Sequence, residues 1–149
     1  SLAKKKRSTR PTSVQLVKRT CNWPSLEAMA RGYSRRVCLA CLLHDAGEAY
    51  LSDVPRPFKK TLPSYQKLED HFLTILYEKY LGSGLTQEER RLVREIDDDM
   101  LYFDLTELLG EKPDRDMPVM KSIFSEEYVP FLEVEEKYIE LFHELMSGI

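Results

Sequence analysis

The chain lacks any apolar run close to the roughly 20 residues that a membrane-spanning helix requires. Its longest, Val37 to Leu43, stops at the charged pair His44-Asp45. No apolar stretch follows the basic amino end, Lys4-Lys5-Lys6-Arg7 with Arg10 close behind, so a secretory signal is not expected there. That run reads as a solvated tail, with phosphate steering as the alternative. Cysteine is scarce and odd in number, at three, which does not look like a disulfide framework. Cys38-Leu-Ala-Cys41 has C-x-x-C spacing, but it lies inside an apolar run with no second pair, so neither a zinc site nor a thioredoxin-like motif is supported. Thiols buried as small hydrophobes, in a cytoplasmic protein, fit better. Positive charge is also short: 22 Lys and Arg against 25 Asp and Glu leave a net −3. That balance, with no recognition motif, argues against a nucleic-acid binder. Alternating strand patterns, internal repeats and low-complexity tracts are all missing.

What is present is helical periodicity in a chain of 149 residues, a length that fits one domain able to bury its own core. Tyr33 to Tyr50 is apolar almost all round and reads as a central helix wrapped by others. Pro63 to Leu81 places Tyr65, Leu68, Phe72, Ile75, Leu76 and Tyr80 at spacings of three and four, which predicts one buried helix face, with Gly82 and Gly84 as the stop. Thr86-Gln87-Glu88-Glu89 has the form of a capping box. It opens a helix through Val93, Ile96, Met100, Phe103 and Leu108. Gly110 to Ser122, with Pro113 and Pro118, reads as a loop. A last helix runs from about Glu126 to Met146 on Phe131, Val134, Tyr138, Leu141, Phe142 and Leu145. The expectation is an all-α bundle of five or six helices, one domain over residues 1–149 with a basic amino end at 1–11.

Chemistry-bearing residues gather at the end of the central helix. His44 and Glu48 are four apart and Asp45 and Glu48 three apart, so they share part of one face. His44 and Asp45 splay by roughly 100° and can approach one ion from neighbouring directions. Burying so many ionisable groups is costly unless a cation or a charge network offsets it. A second cluster, Asp97-Asp98-Asp99, interrupts another apolar helix. Ile96 and Met100 mark its core side, so Asp97 is expected at the core edge and Asp98 and Asp99 in water. His71 and His143 have no ligand-like company and read as structural or surface residues. Taken singly, a His-Asp pair is more often a satisfied core histidine, and an aspartate run a solvated face.

Taken together, Leu42-Leu43-His44-Asp45-Ala46-Gly47-Glu48-Ala49-Tyr50-Leu51-Ser52-Asp53-Val54-Pro55-Arg56-Pro57-Phe58-Lys59 resembles the HD-domain metal-dependent phosphohydrolases, in the branch with bacterial and phage 5'-deoxynucleotidases. The resemblance continues through Val93-Arg94-Glu95-Ile96-Asp97, over about residues 12–109. It implies an HD-domain bundle with His44, Asp45 and Asp97 as ligands of a divalent ion (manganese, cobalt, iron, zinc or magnesium). It implies Glu48 and Asp53 as the acids handling the attacking water and the leaving-group proton. Such an ion would polarise a phosphate oxygen and acidify bound water. Lys59, Arg56 and Arg10 are candidates for contacting phosphate charge, with exposed turn cations as the alternative.

The family's first histidine has no counterpart, since none precedes His44. Either Thr12 stands in its place or a short stretch after Val14 is absent from the sequence. The implied activity is removal of phosphate from (deoxy)nucleoside 5'-monophosphates, on a small nucleotide substrate. The alternatives are hydrolysis of an alarmone or triphosphate, and a degenerate, non-catalytic domain used for oligomerisation or protein binding. Neither a membrane nor a nucleic-acid partner is expected, and the resemblance leaves room for a homodimer.

Overall fold

The computed structural model describes residues 22–51, 56–108, 110, 116, 118–122 and 131–148, of which 48–50, 56, 107, 108 and 131 are described by backbone alone. Among these residues the protein is all-α, with six α-helices: α1 (Trp23–Ala30), α2 (Arg35–Leu51), α3 (Arg56–Lys59), α4 (Pro63–Leu81), α5 (Gln87–Phe103) and α6 (Phe131–Met146). The expected helical bundle is therefore present, and nothing in it ties the arrangement to the HD fold in particular. No helix of the described residues is long and apolar enough to cross a membrane.

Helix α2 is the axis of the bundle. From Val37 to Leu43 seven consecutive residues are at most 3% exposed. A single helix buries every side of itself only when neighbours cover it all round, and α1, α4, α5 and α6 do so. Each fully buried Leu or Val contributes about 1.5–3 kcal/mol, so this heptapeptide anchors the core. Ser34 starts the helix by accepting the Val37 N–H at 3.3 Å, an N-cap. Gly47 lies on its contact with α4, where an added Cβ would meet Leu73 Cδ2 at 2.8 Å.

Helix α1 was not foreseen from the sequence, because eight residues are too few for a clear period. Its start has proline in the first turn, where the missing N–H is no loss. Its end is a Schellman motif: Gly32 at φ 77° donates to the Met29 carbonyl and Tyr33 to Ala28. Ser25 then donates to the Cys38 carbonyl at 2.8 Å, fastening α1 to α2.

The α4–α5 turn is also built from capping chemistry. Gly82 at φ 80° ends α4. The Thr86 hydroxyl accepts the Glu89 N–H at 3.2 Å while Glu89 accepts the Thr86 N–H at 2.9 Å, which completes the expected capping box. Arg36 of α2 holds this turn by donating to Glu89 at 2.9 Å and to the Leu81 carbonyl at 2.9 Å. On the opposite side the Tyr138 hydroxyl of α6 donates to the Leu42 carbonyl at 2.8 Å. Val134, Leu141 and Leu145 are the buried stripe of α6, on the expected period.

Three expectations are corrected. Helix α4 buries the face marked by its apolar spacing only in part: Leu73, Tyr77 and Leu81 face the core and Leu76 and Tyr80 pack against it, whereas Leu68 and Ile75 are about half exposed. Both sets lie at helical spacing, and only the position of α2 decides between them. Asp99, expected in water, is 7% exposed and bound to Arg31. The α-helix expected to reach Leu108 ends at Phe103 and continues as a π-helical turn, Asp104–Leu108, with the Thr106 hydroxyl donating to the Tyr102 carbonyl.

Candidate functional site

Where α2 leaves the core its apolar run gives way to His44 and Asp45, 21% and 17% exposed at their side chains. They share a crevice with Pro24 of α1, Cys41 of α2, and Val93, Ile96 and Asp97 of α5. Three of the residues singled out from the sequence are thus brought together by the packing of two helices far apart in the chain. His44 Nδ1 lies 3.9 Å from Asp45 Oδ1, too far for a hydrogen bond and within range of an ion pair if the imidazole is protonated. Cys41 supplies no nucleophile. Burial, and then the negative charges of Asp45 and Asp97, push its thiol well above the ordinary range and keep it protonated.

Asp104 was not anticipated. Its Oδ1 is buried with no hydrogen-bond partner among the described residues. Burial, with a further contribution from the charge of Asp97, pushes its carboxyl up to about 7. The only sequence signal was its spacing of seven from Asp97, which places both on one side of a helix.

Of the remaining expected residues, only Lys59 is described with its side chain, and it does not line this crevice. Lys59, in α3, is paired with Glu69 of α4 at 3.2 Å and lies 5.9 Å from the centre of the Tyr65 ring. Glu48 is described by backbone alone, on α2, and so is Arg56 at the start of α3. Asp53, Arg10 and Thr12 lie outside the described residues. His71 and His143 are exposed.

A second polar cluster, centred on Glu27 and Arg31 of α1, was also missed. Glu27 is fully buried. Its carboxylate accepts the N–H groups of Lys121 and Ser122, each at 2.8 Å, and pairs with Arg31 at 2.9 Å. Arg31 in turn pairs with Asp99 at 2.9 Å and reaches Glu95 at 3.5 Å. Burial works to raise the Glu27 carboxyl. It is outweighed by the Lys121 amide, the Arg31 guanidinium and the Ser122 amide, so the group stays below its ordinary value. The spacing of Glu27 and Arg31, four apart on a helix, was visible in the sequence; their burial was not.

The crevice does not support the expected metal chemistry. Among the described residues no group of three or more His, Cys, Asp and Glu side chains is arranged to hold a metal ion. His44, Asp45 and Asp97 line one opening and do not form such a group. The expected divalent ion is therefore corrected. With it go the phosphohydrolase and nucleotidase activity, on monophosphates, alarmones or triphosphates, that depended on that ion for its nucleophile.

Comparison with known proteins agrees with that correction. No family model matches the chain, so its resemblance to the HD-domain hydrolases is not upheld. No solved structure matches it either. Over 39 residues the chain is 46% identical to Uncharacterized protein YfdR of Escherichia coli (strain K12), a match covering 26% of this chain and 22% of that protein. The chain thus spans about a fifth of the length of that relative. What stands is an all-α bundle with a polar crevice and a separate buried ion network.

Proposed function

We propose that this chain is a single-domain, non-catalytic interaction module, which binds a protein partner through the outward face of α4. The observation that carries this reading is a row of large apolar side chains in water. Leu68 is 53% exposed and Ile75 47%, seven residues apart on one face of α4, and Leu62 at 46% and Phe58 at 63% are exposed in the segment leading into that helix. Tyr65 and Phe72, half-buried, border it on the core side. Single exposed leucines are ordinary, but a contiguous apolar row rimmed by charge marks an interaction surface. The same helix already satisfies the core with Leu73, Tyr77 and Leu81. Its second apolar face is therefore surplus to folding.

Under this reading His44, Asp45 and Asp97 make and break no bonds, and their replacement by alanine leaves partner binding and oligomeric state unchanged. The buried thiols Cys38 and Cys41 support a cytoplasmic setting. The net charge of −3 speaks against nucleic acid as the partner.

Amine crosslinking with peptide-level identification tests the reading, since Lys67 and Lys79 lie beside the row. Wild type is expected to give crosslinks from these lysines to another polypeptide, and Leu68→Glu/Ile75→Glu to lose them while keeping its melting temperature within a few degrees. Crosslinks that persist in the double variant overturn the assignment of this face. A double variant that unfolds shows that the row serves the fold and not a partner.

A further inference from the structure

We infer that the outward face of α6 is the docking site of the basic segment 1–21 of this same chain. The inference is independent of the α4 face and concerns the other helix with apolar side chains to spare. Leu132 is 70% exposed and Ile139 47%, seven residues apart on one face of α6. The core-facing stripe of that helix, Val134, Leu141 and Leu145, lies on its opposite side. Leu132 and Ile139 therefore add nothing to the core, and their burial against a further segment would be favourable.

Charge selects the occupant. Glu133, Glu136, Glu140 and Glu144 run down one flank of this face at spacings of three and four, all exposed, and Glu135 lies on the other flank. Like charges at these spacings destabilise a helix. The lysine of α6, Lys137, is held by Glu133 at 3.0 Å. The face thus suits a segment that carries apolar side chains, many cations and no acids. Residues 1–21 have that composition. Lys4, Lys5, Lys6, Arg7, Arg10, Lys18 and Arg19 are seven of the 22 cations in the chain, and none of its 25 acids is among these residues. Leu2, Val14, Leu16 and Val17 supply the apolar side chains. The net −3 of the chain is therefore +7 on this segment and −10 on the remainder, which attracts one to the other. The α4 face competes poorly, because Pro63–Leu81 sets Lys67 and Lys79 against Glu69, Asp70 and Glu78, and Glu69 is paired with Lys59.

Reach permits the contact. Segment 1–21 lies outside the described residues and meets them at Asn22. The stretch from Arg10 to Asn22 can extend to about 40 Å. A domain of this length has a radius of gyration of about 15 Å, so every outer face is accessible to the segment. Tethering holds it at an effective concentration on the order of millimolar, which favours contact within one chain over contact between chains.

Carbodiimide crosslinking, which joins amines to carboxylates in direct contact, tests this on an equal mixture of isotopically light and heavy chains. Crosslinks from Lys4, Lys5, Lys6 or Lys18 to Glu135, Glu136 or Glu140 are expected within one isotope, and should fade at about 1 M salt. Tryptic cleavage between Lys4 and Arg10 is expected to speed about fivefold in Leu132→Ser/Ile139→Ser and in Glu136→Gln/Glu140→Gln. Circular dichroism checks the fold of each variant. The glutamine variant relieves repulsion within α6, so it stays folded and decides the matter even if the serine variant does not. The absence of crosslinks from the segment to α6 overturns the docking. Crosslinks that mix the isotopes overturn contact within one chain. An unchanged cleavage rate in a folded serine variant overturns the apolar row as the seat, and an unchanged rate in the glutamine variant overturns charge as what selects the segment.

Discussion

Two polar clusters of the bundle solve the burial of charge in opposite ways. In the Glu27–Arg31–Asp99 network a buried acid has a guanidinium and two backbone amides, and the guanidinium has a second acid at 2.9 Å. In the second, the charge of Asp97 acts on a buried Asp104, whose Oδ1 has no hydrogen-bond partner among the described residues. The first cluster keeps its acid ionised; the second pushes a carboxyl towards its neutral form. A buried carboxylate is a structural element where donors converge on it and a pH-dependent weakness where they do not.

The sharpest way to break this contrast is to remove the shared cation of the satisfied cluster. Arg31→Met leaves Glu27 and Asp99 buried without their counter-charge and is expected to cost about 3–5 kcal/mol. Urea unfolding would show this as a much lower midpoint with an unchanged slope.

Asp104 should respond in the other direction. Asp104 holds its proton more tightly folded than unfolded, so between about pH 4 and about 7 the folded chain binds more protons, and stability falls as pH rises through that window. Asp104→Asn removes the charge and is expected to gain about 2 kcal/mol at pH 8. It should also flatten the fall between pH 4 and 7 in a series of thermal melts. A variant less stable than wild type at pH 8 would mean that this carboxylate is satisfied after all.

Glu27 carries the opposite sign. Its folded value is depressed, so its contribution is present above the ordinary carboxylate value and is lost as pH falls through the depressed one. Glu27→Gln keeps the shape and an acceptor while losing the charge, for an expected cost of about 1–2 kcal/mol at neutral pH. Hydrogen exchange at the Lys121 and Ser122 amides should accelerate in that variant, because those two donors lose their carboxylate. The smallest effect is expected from Asp97→Asn. Removing one nearby charge should move the Asp104 titration down by a fraction of a pH unit, read by carboxyl carbon NMR, while leaving its larger cause, burial, in place.

Neither cluster could be read whole from the chain. The His44-Asp45 pair and Asp97 were visible, and packing does bring them to one crevice. Metal binding asks for more, because three or more donors must converge on one point within a few tenths of an ångström. Spacing along a helix specifies direction only to within a side chain's reach, so the motif overstated the site. Asp97 and Asp99 show the same limit. Two positions apart on α5, they separate by roughly 200°, and the one expected in water is the one that Arg31 buries.

Local chemistry was legible where a few neighbouring residues suffice. The Thr86–Glu89 capping box, the stop at Gly82, the stripe of α6 and the all-round burial of Val37 to Leu43 all follow from patterns spanning a few residues to a few turns. Tertiary structure alone decided which of two apolar faces of α4 met α2, and so left Leu68 and Ile75 in water. It also decided that Glu27 would receive amides from residues 94 and 95 positions away. Periodicity shows that a helix has a greasy side. Only a neighbour's position determines which side is used, because hydrophobic burial depends on area and carries no address.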